Sequence, residues 1–153
     1  MSLKLTSPGF PHGETVPKEY TADGKNVSPP LTWTEAPEGA GSFALICEDP
    51  DAPRGTFTHW VVFNLPAESR ELGEGVPQQA TLPNGTAQGA NDFGKVGYGG
   101  PAPPPGKPHR YFFKLFALDR QLDLQAGATR EQLLAAMKSH ILAEGQLMGT
   151  YSQ

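Results

Sequence analysis

Three short apolar runs, each bounded by turn-forming residues, constrain the fold of this chain more than any other feature. They span residues 42–47, 59–65 and 110–119. Apolar runs of this length are typical of strands that are buried on both faces of a sheet. The aromatic run at 110–119 gives the strongest signal, because aromatic side chains pack well on a pleated surface. We therefore predict that these three runs are central strands of a sheet.

Glycine and proline separate these runs throughout the chain. The sequence contains 18 Gly and 16 Pro, whereas only 18% of its residues are charged. Turn formers that alternate with aromatic and β-branched clusters favour β structure with elaborate loops over disorder. We predict weaker strands at residues 3–6, 31–34 and 86–88, with a turn at 84–85 before the last of them. The proline-rich residues 101–108 are predicted to form an ordered loop.

One segment, residues 129–143, has the pattern of an amphipathic helix. Thr129 and Gln132 have the spacing of a capping box, and Gly145 would end the helix. The apolar stripe comprises Leu133, Leu134, Met137 and Ile141. A final short strand near residues 147–151 would then return to the sheet. The sequence thus predicts a mainly β, antiparallel fold with one substantial helix near the C-terminus.

Length and charge restrict the classes of protein to consider. A chain of 153 residues favours one domain, spanning residues 1–153, with a single core. The net charge is -4 and the basic residues are scattered, which argues against nucleic-acid binding. The lone Cys47 excludes an internal disulfide, and residues 1–6 lack the apolar run of a signal peptide or a membrane span. We therefore expect a soluble, cytoplasmic protein.

A rigid acidic turn follows the first apolar run. Asp49 and Asp51 alternate with proline, which fixes the main chain and removes a backbone donor. The carboxylates either serve a binding site or only accept hydrogen bonds from backbone amides of the turn, and the second role is about as plausible for Asp51. The bond between Ala52 and Pro53 is a candidate for the cis form.

Two histidines stand at strand ends, where loops gather and binding sites form. His59 begins one predicted strand and His109 precedes another, with Tyr111 close behind. If the two strands are neighbours, the imidazoles can converge with Asp49 into one polar pocket. Each histidine alone is more simply a rim residue bonded to backbone. The other two histidines, His12 and His140, are predicted to be structural, with His140 lying on the helix.

The glycine-rich residues 97–100 add a possible backbone contribution to this pocket. Glycine reaches conformations that are closed to other residues, and successive free N–H groups in such a bend bind anions. The alternative is a wide loop or a β-bulge. Together with imidazole donors, the loop would suit a phosphate, carboxylate or sulfate group, and a carboxylate at Asp49 would suit a ligand that also carries a proton or an ammonium.

These motifs resemble the phosphatidylethanolamine-binding protein family, which includes the Raf kinase inhibitor protein, and in particular its small bacterial and archaeal branch. The resemblance covers nearly the whole chain. It is carried by residues 23–33, 49–53, 59–65, 91–94, 97–101 and 109–111. The resemblance implies antiparallel sheets packed in a β-sandwich-like body, with a small anion pocket at one end of the strands. The ligand-binding residues that it implies are Asp49, Pro53, Phe57, His59, Gly100, Pro101, His109 and Tyr111.

Two departures from the eukaryotic members bear on the pocket mouth. Those members have two adjacent histidines where this chain has Thr58 and His59, and they carry a C-terminal helix beside the pocket that this chain lacks after Gln153. The mouth is therefore expected to be more open, or to be closed by a partner subunit. By resemblance to the short prokaryotic branch, a homodimer is expected.

The residues and the resemblance together favour a non-enzymatic binding protein without cofactor or metal. It would hold a small phosphate-bearing anion or a phospholipid head group such as that of phosphatidylethanolamine. An alternative is an inhibitor of a serine peptidase or protein kinase that acts through pocket-side loops such as residues 101–108. A hydrolase that uses His59 or His109 with Asp49 is a weaker alternative, because the sequence shows no serine elbow and no helical zinc motif.

Overall fold

Two antiparallel sheets and one α-helix form the structure, a computed structural model that describes residues 3–153. The strands of the smaller sheet are β1 (Lys4–Thr6), β2 (Leu31–Thr34) and β5 (Glu71–Leu72). Those of the larger are β3 (Ser42–Asp49), β4 (Phe57–Pro66), β6 (Ala87–Gln88), β7 (His109–Leu118) and β8 (Ile141–Tyr151). The smaller sheet has the order β1-β2-β5, and the larger has the order β6-β4-β3-β7-β8. A 3₁₀ turn at Lys18–Tyr20 and helix α1 (Arg130–Met137) complete the elements.

The three apolar runs are interior strands, as their composition predicts. Strand β3 lies at the centre of the larger sheet between β4 and β7, and all eight of its residues are buried. Its alternate side chains enter two different cores. Phe43, Leu45 and Cys47 face the smaller sheet, whereas Ala44 and Ile46 face α1. Burial on both faces explains why these strands read as continuous apolar runs.

The weaker strand predictions are also confirmed, with small changes of length. Strands β1, β2 and β6 fall within the predicted segments, while the two-residue β5 has no signal in the sequence. Gly85 adopts a positive φ of 92° and donates its N–H to the carbonyl of Leu82, which forms the predicted turn before β6. Residues 101–108 form a connection without regular structure that leads into β7.

The prediction of the helix is correct at its N-terminal end and wrong at its C-terminal end. Thr129 caps α1 with the predicted capping box to Gln132, but the helix ends at Met137 instead of continuing to residue 143. Ser139 takes a left-handed φ of 72°, and the chain then enters β8 at Ile141. His140 therefore lies in the turn between the two elements and not on the helix.

Residues 141–143 form the start of strand β8 instead of the end of the helix, because β8 pairs along nearly all of β7. The pairing runs from His109 opposite Tyr151 to Leu118 opposite Ile141. Gly145 is a strand residue and not a helix stop. A Cβ there would come within 2.5 Å of the carbonyl oxygen of Leu3, so the glycine admits the N-terminal segment against the strand. The final strand is therefore much longer than the predicted segment 147–151.

No helix within residues 3–153 has the length and apolar character needed to span a membrane.

Candidate functional site

The register of the larger sheet brings the predicted polar residues to one end of it. Asp49, the last residue of β3, pairs with Phe57, the first residue of β4. His109 begins β7, the other neighbour of β3. The side chains of His59 and Tyr111 then meet across the sheet end, with ring centroids 5.3 Å apart. The sheet order thus makes distant segments of the chain converge. The strands of His59 and His109 are not neighbours, however, because β3 lies between β4 and β7.

A short, buried hydrogen bond joins Asp49 and His109. The Nδ1 atom of His109 lies 2.6 Å from Oδ2 of Asp49, and both residues are buried. The other carboxylate oxygen of Asp49 accepts the backbone N–H of Asp51 at 2.7 Å. Both oxygens of Asp49 are therefore bonded within the protein. An ionised carboxylate accepts hydrogen bonds, so Nδ1 of His109 is the donor and its Nε2 is left for a ligand.

His59 is fixed in one tautomer by the glycine loop. Its Nδ1 atom lies 2.6 Å from the carbonyl oxygen of Gly99. A carbonyl only accepts, so Nδ1 carries the proton and Nε2 of the neutral ring is an acceptor. Burial lowers the pKa of His59 below its ordinary value of 6.5, while the Gly99 carbonyl and the charges of Asp49 and Asp92 oppose that shift. An anion bound beside the ring would favour its protonated form.

The phenol of Tyr111 is a donor without a partner. The residue is 1% exposed, and its hydroxyl makes no hydrogen bond to the described residues. Burial raises the pKa of Tyr111 well above its ordinary value, with the charge of Asp49 acting in the same direction, so the hydroxyl keeps its proton at neutral pH. An unsatisfied buried hydroxyl costs about 1–3 kcal/mol, and such a group calls for a partner that the free protein does not supply.

A cavity of about 190 Å³ opens above these side chains. Six of the eight predicted ligand-binding residues line it, and the structure adds five that the sequence did not assign. The predicted ones are Asp49, Pro53, Phe57, His59, His109 and Tyr111. The additional ones are Ala52, Phe93, Ala102, Pro103 and Pro104. Phe93 belongs to one of the motifs of the resemblance, and an aromatic side chain in a turn was the signal that could have identified it.

The glycine loop supports the pocket from behind instead of lining it. Gly100 and Pro101 are absent from the cavity wall. The N–H of Gly99 donates to the carbonyl of His59, and that of Gly100 donates to Oδ1 of Asn26 at 2.8 Å. The N–H of Gly97 is bonded to the carbonyl of Gly89. The predicted cradle of free amides is therefore not formed by these glycines, and the loop acts through its carbonyls on His59.

Asp51 points away from the cavity and has a structural role. Its carboxylate forms a two-point ion pair with the guanidinium of Arg110, with both N···O distances at 2.9 Å, and also accepts the backbone N–H of that residue. The hydrogen bonds from Arg110 lower the pKa of Asp51 to about 2. The pair ties the acidic turn to the start of β7. The Ala52–Pro53 bond in this turn is trans, so the cis form expected as a candidate is not found.

The remaining histidines lie outside the pocket, as predicted. The Nδ1 atom of His12 accepts the backbone N–H of Met148, and Nδ1 of His140 lies 2.9 Å from Oδ1 of Asp119. Within residues 3–153, no cluster of three or more His, Cys, Asp or Glu side chains is arranged to hold a metal ion.

A larger groove on the helix side of the sheet is a weaker candidate. It has a volume of about 450 Å³ and is open to solvent. Its buried acid, Glu48, is already bonded to Lys114 at 3.1 Å and to Arg130 at 2.9 Å. The buried acid of the groove is therefore already paired, whereas the wall of the smaller cavity includes Tyr111, whose buried hydroxyl has no partner.

Comparison with known proteins agrees with this architecture. The sequence profile described as phosphatidylethanolamine-binding protein matches residues 6–152. A protein named UPF0098 from Methanothermobacter thermautotrophicus is 51% identical, over 97% of this chain and 98% of its own length. Another UPF0098 protein, from Aquifex aeolicus, is 50% identical over 99% of this chain and 89% of its own length.

Two solved structures share the whole fold. One, from Chlamydia trachomatis, is described as a homologue of phosphatidylethanolamine-binding protein; it is 41% identical, with a TM-score of 0.90 over 99% of this chain and 98% of that one. The other is YbcL of E. coli, described as a new member of the mammalian family, which is 33% identical, with a TM-score of 0.92 over 100% of this chain and 99% of that one. A profile match over nearly the full length and relatives at half identity lead to one conclusion: the chain belongs to the phosphatidylethanolamine-binding protein family.

Proposed function

We propose that this chain is a non-enzymatic binding protein that holds a small phosphate-bearing anion, either free or as a phospholipid head group such as that of phosphatidylethanolamine. The observation that carries the proposal is the buried hydroxyl of Tyr111, a donor without a partner at the floor of the cavity. The Nε2 atoms of His59 and His109 complete a set of three polar groups there. Phosphate oxygens accept a hydrogen bond from the phenol, and they accept one from Nε2 of an imidazole ring when that ring is protonated, a form that a bound anion favours.

The size of the cavity supports a ligand of this kind. Pockets for drug-sized ligands have volumes of about 300–1,000 Å³. The 190 Å³ here is enough for a phosphate group with a short substituent but not for a whole phospholipid. A lipid would therefore enter with its head group alone.

The test is a calorimetric titration of the protein with inorganic phosphate and with phosphoethanolamine. We expect His59→Ala and His109→Ala each to weaken binding by about tenfold or more, since each removes a hydrogen bond to a charged group. His140→Ala is the matched control, because His140 pairs with Asp119 outside the pocket and its loss should leave affinity unchanged. Equal affinities of the wild type and both pocket variants would refute the proposal.

A second candidate is inhibition of a serine peptidase or protein kinase by the loops beside the pocket. Residues 104–108 are exposed and adjoin the cavity, so a partner that docks on them would also cover the mouth. Inhibition assays with the His109→Ala variant separate the candidates. Inhibition that persists when anion binding is lost would assign this activity to the loop surface, whereas loss of both would assign it to the pocket.

We further propose, on the family resemblance, that the chain acts in the cytoplasm as a homodimer. Light scattering of the purified chain measures its mass directly. A monomer at micromolar concentration would contradict the dimer.

A further inference from the structure

The wall of the pocket has a polar part, called the floor here, and an apolar part, called the rim. The floor consists of the four polar residues Asp49, His59, His109 and Tyr111, which are buried and lie on strands. The other seven of the eleven wall residues have apolar side chains. They are Ala52, Pro53, Phe57, Phe93, Ala102, Pro103 and Pro104. A phosphate on the floor would thus place its remaining substituent against an apolar rim.

Phe93 is the most exposed large apolar side chain in the described part of the chain, at 43%. Its loop is nevertheless tightly held. Oδ1 of the buried Asn91 accepts the N–H of Phe93 at 2.9 Å, and Nδ2 of Asn91 donates to the carbonyl of Gly97 at 2.9 Å. Oδ2 of Asp92 accepts the N–H of Thr58 at 2.7 Å, which fastens the loop to β4. These hydrogen bonds hold the backbone of the loop that carries the ring at the pocket wall.

The ring of Phe93 packs against neighbouring side chains and backbone at the rim. Its centroid lies 4.7 Å from that of Phe57 in an edge-to-face arrangement and 5.5 Å from that of His59. On the other side it packs on the backbone of Gly99, where even a Cβ atom would collide with the ring. Phe93 thus joins the buried floor to the solvent-facing mouth.

The residues that line the cavity offer no free counter-charge to an ammonium group, and the carboxylate of Asp92, next to Phe93, lies outside the wall and accepts the N–H of Thr58. Asp49 is the only carboxylate among the eleven wall residues, and both of its oxygens are bonded within the protein. The nearby Asp51 is paired with Arg110. A substituent at the rim therefore meets rings and prolines, and transfer of an apolar group onto such a surface is favourable.

We infer that Phe93 is a specificity-determining residue, which makes the pocket prefer phosphate esters with an apolar second group over inorganic phosphate and over phosphoethanolamine. This inference rests on the proposed function. It concerns the rim alone, because the phosphate would be held by the floor in every case.

The experiment measures by calorimetry the affinities of three ligands that differ in the group attached to phosphate: inorganic phosphate, propyl phosphate and phosphoethanolamine. The last two have the same number of heavy atoms, so they differ in the terminal methyl or ammonium group. We expect the wild type to bind propyl phosphate about tenfold more tightly than inorganic phosphate, given the apolar area that a short alkyl chain buries. Phe93→Ala should remove most of this preference, measured as the ratio of the affinities for propyl phosphate and inorganic phosphate.

Two further variants keep the result interpretable. Phe93→Leu retains an apolar side chain and should retain most of the preference for propyl phosphate. Leu142→Ala is the matched control, because Leu142 is 41% exposed and lies at the opposite end of the larger sheet. It should leave all three affinities unchanged.

Each contrary outcome overturns a different statement. Equal affinity of the wild type for inorganic phosphate and propyl phosphate would refute the inference and leave the proposed function intact. An unchanged preference in Phe93→Ala would refute the role of this residue. Tighter binding of phosphoethanolamine than of propyl phosphate would show that the rim selects a cation. No binding of any of the three ligands would refute the proposed function itself.

Discussion

At the scale of single residues, the hydroxyl of Tyr111 lowers the stability of the free protein and is expected to contribute to ligand binding. In the free protein this hydroxyl is buried without a partner, although the aromatic ring that carries it packs against His59 and His109. The ring contributes to packing, while the unpaired hydroxyl costs free energy. Trp33 Nε1 and Thr86 Oγ1 are also buried without a partner, so it is the place of Tyr111 in the cavity wall that links its hydroxyl to binding.

Tyr111→Phe is expected to weaken phosphate binding and to leave the free energy of unfolding unchanged or raised by about 1 kcal/mol, because it deletes an unsatisfied donor. Denaturant unfolding and calorimetric titration measure the two effects. Tyr98→Phe is the matched control, since the hydroxyl of Tyr98 donates to the carbonyl of Tyr20 at 2.6 Å. That change should lower stability by about 1 kcal/mol. A loss of stability in Tyr111→Phe as large as that in Tyr98→Phe would contradict this account.

At this scale the sequence identifies the floor of the site but not its rim. Asp49, His59 and His109 are recognisable because polar side chains flank apolar strands. Phe93 and Pro103 are not, because their place in the wall depends on how two loops fold back over the strand ends. The sequence also cannot show that the amide of Gly100 is bonded to Asn26, 74 positions away.

At the scale of secondary-structure elements, the local sequence pattern predicts helix up to residue 143, whereas pairing with β7 makes the chain a strand from Ile141 onwards. Leu133 and Met137 of the predicted stripe are buried, whereas Leu134 and Ile141 are exposed. A helical stripe and a strand edge give similar local patterns over so few residues, and periodicity alone does not separate them. The ten-pair ladder between β7 and β8 decides in favour of the strand.

Gly145→Ala tests this correction. As a strand residue, Gly145 has no room for a Cβ against the backbone of Leu3, so we expect alanine to lower the free energy of unfolding by about 1–3 kcal/mol. Gly73→Ala is the control, because a Cβ there meets nothing within 4 Å and its φ lies outside the left-handed region. Thermal or denaturant unfolding of both variants gives the answer. A Gly145→Ala variant as stable as Gly73→Ala would argue against close packing of the N-terminal segment on β8.

At the scale of the whole molecule, the site couples folding, pH and ligand binding. Burial lowers the pKa of His59, so the folded protein takes up a proton at this residue less readily than the unfolded chain does. The contribution of His59 to stability is therefore present above its ordinary pKa of 6.5 and is lost as the pH falls below it. The groups that face His59 are Asp49, Asp92, His109 and Tyr111, and the two carboxylates reduce this effect without removing it.

A bound anion reverses the sign of this dependence, because it favours the imidazolium form of His59 and so raises its pKa in the complex. Affinity should then increase as the pH falls from 7.5 towards 5.5, roughly up to tenfold for each unit by which binding raises that pKa. Dimethyl phosphate is the appropriate probe, since it remains a monoanion throughout this range and only protein groups titrate. The shift of the melting temperature with dimethyl phosphate, measured across the range, reports affinity through mass action.

His59→Gln separates His59 from the Asp49–His109 pair, since glutamine retains a donor towards the Gly99 carbonyl but cannot titrate. In this variant the ligand-free loss of stability below pH 6.5 should shrink, and the rise in affinity should flatten. His140→Gln should change neither, because His140 lies far from the cavity beside Asp119. A pH dependence of dimethyl phosphate binding that is the same in the wild type and in His59→Gln would refute the role of His59 as the coupled group.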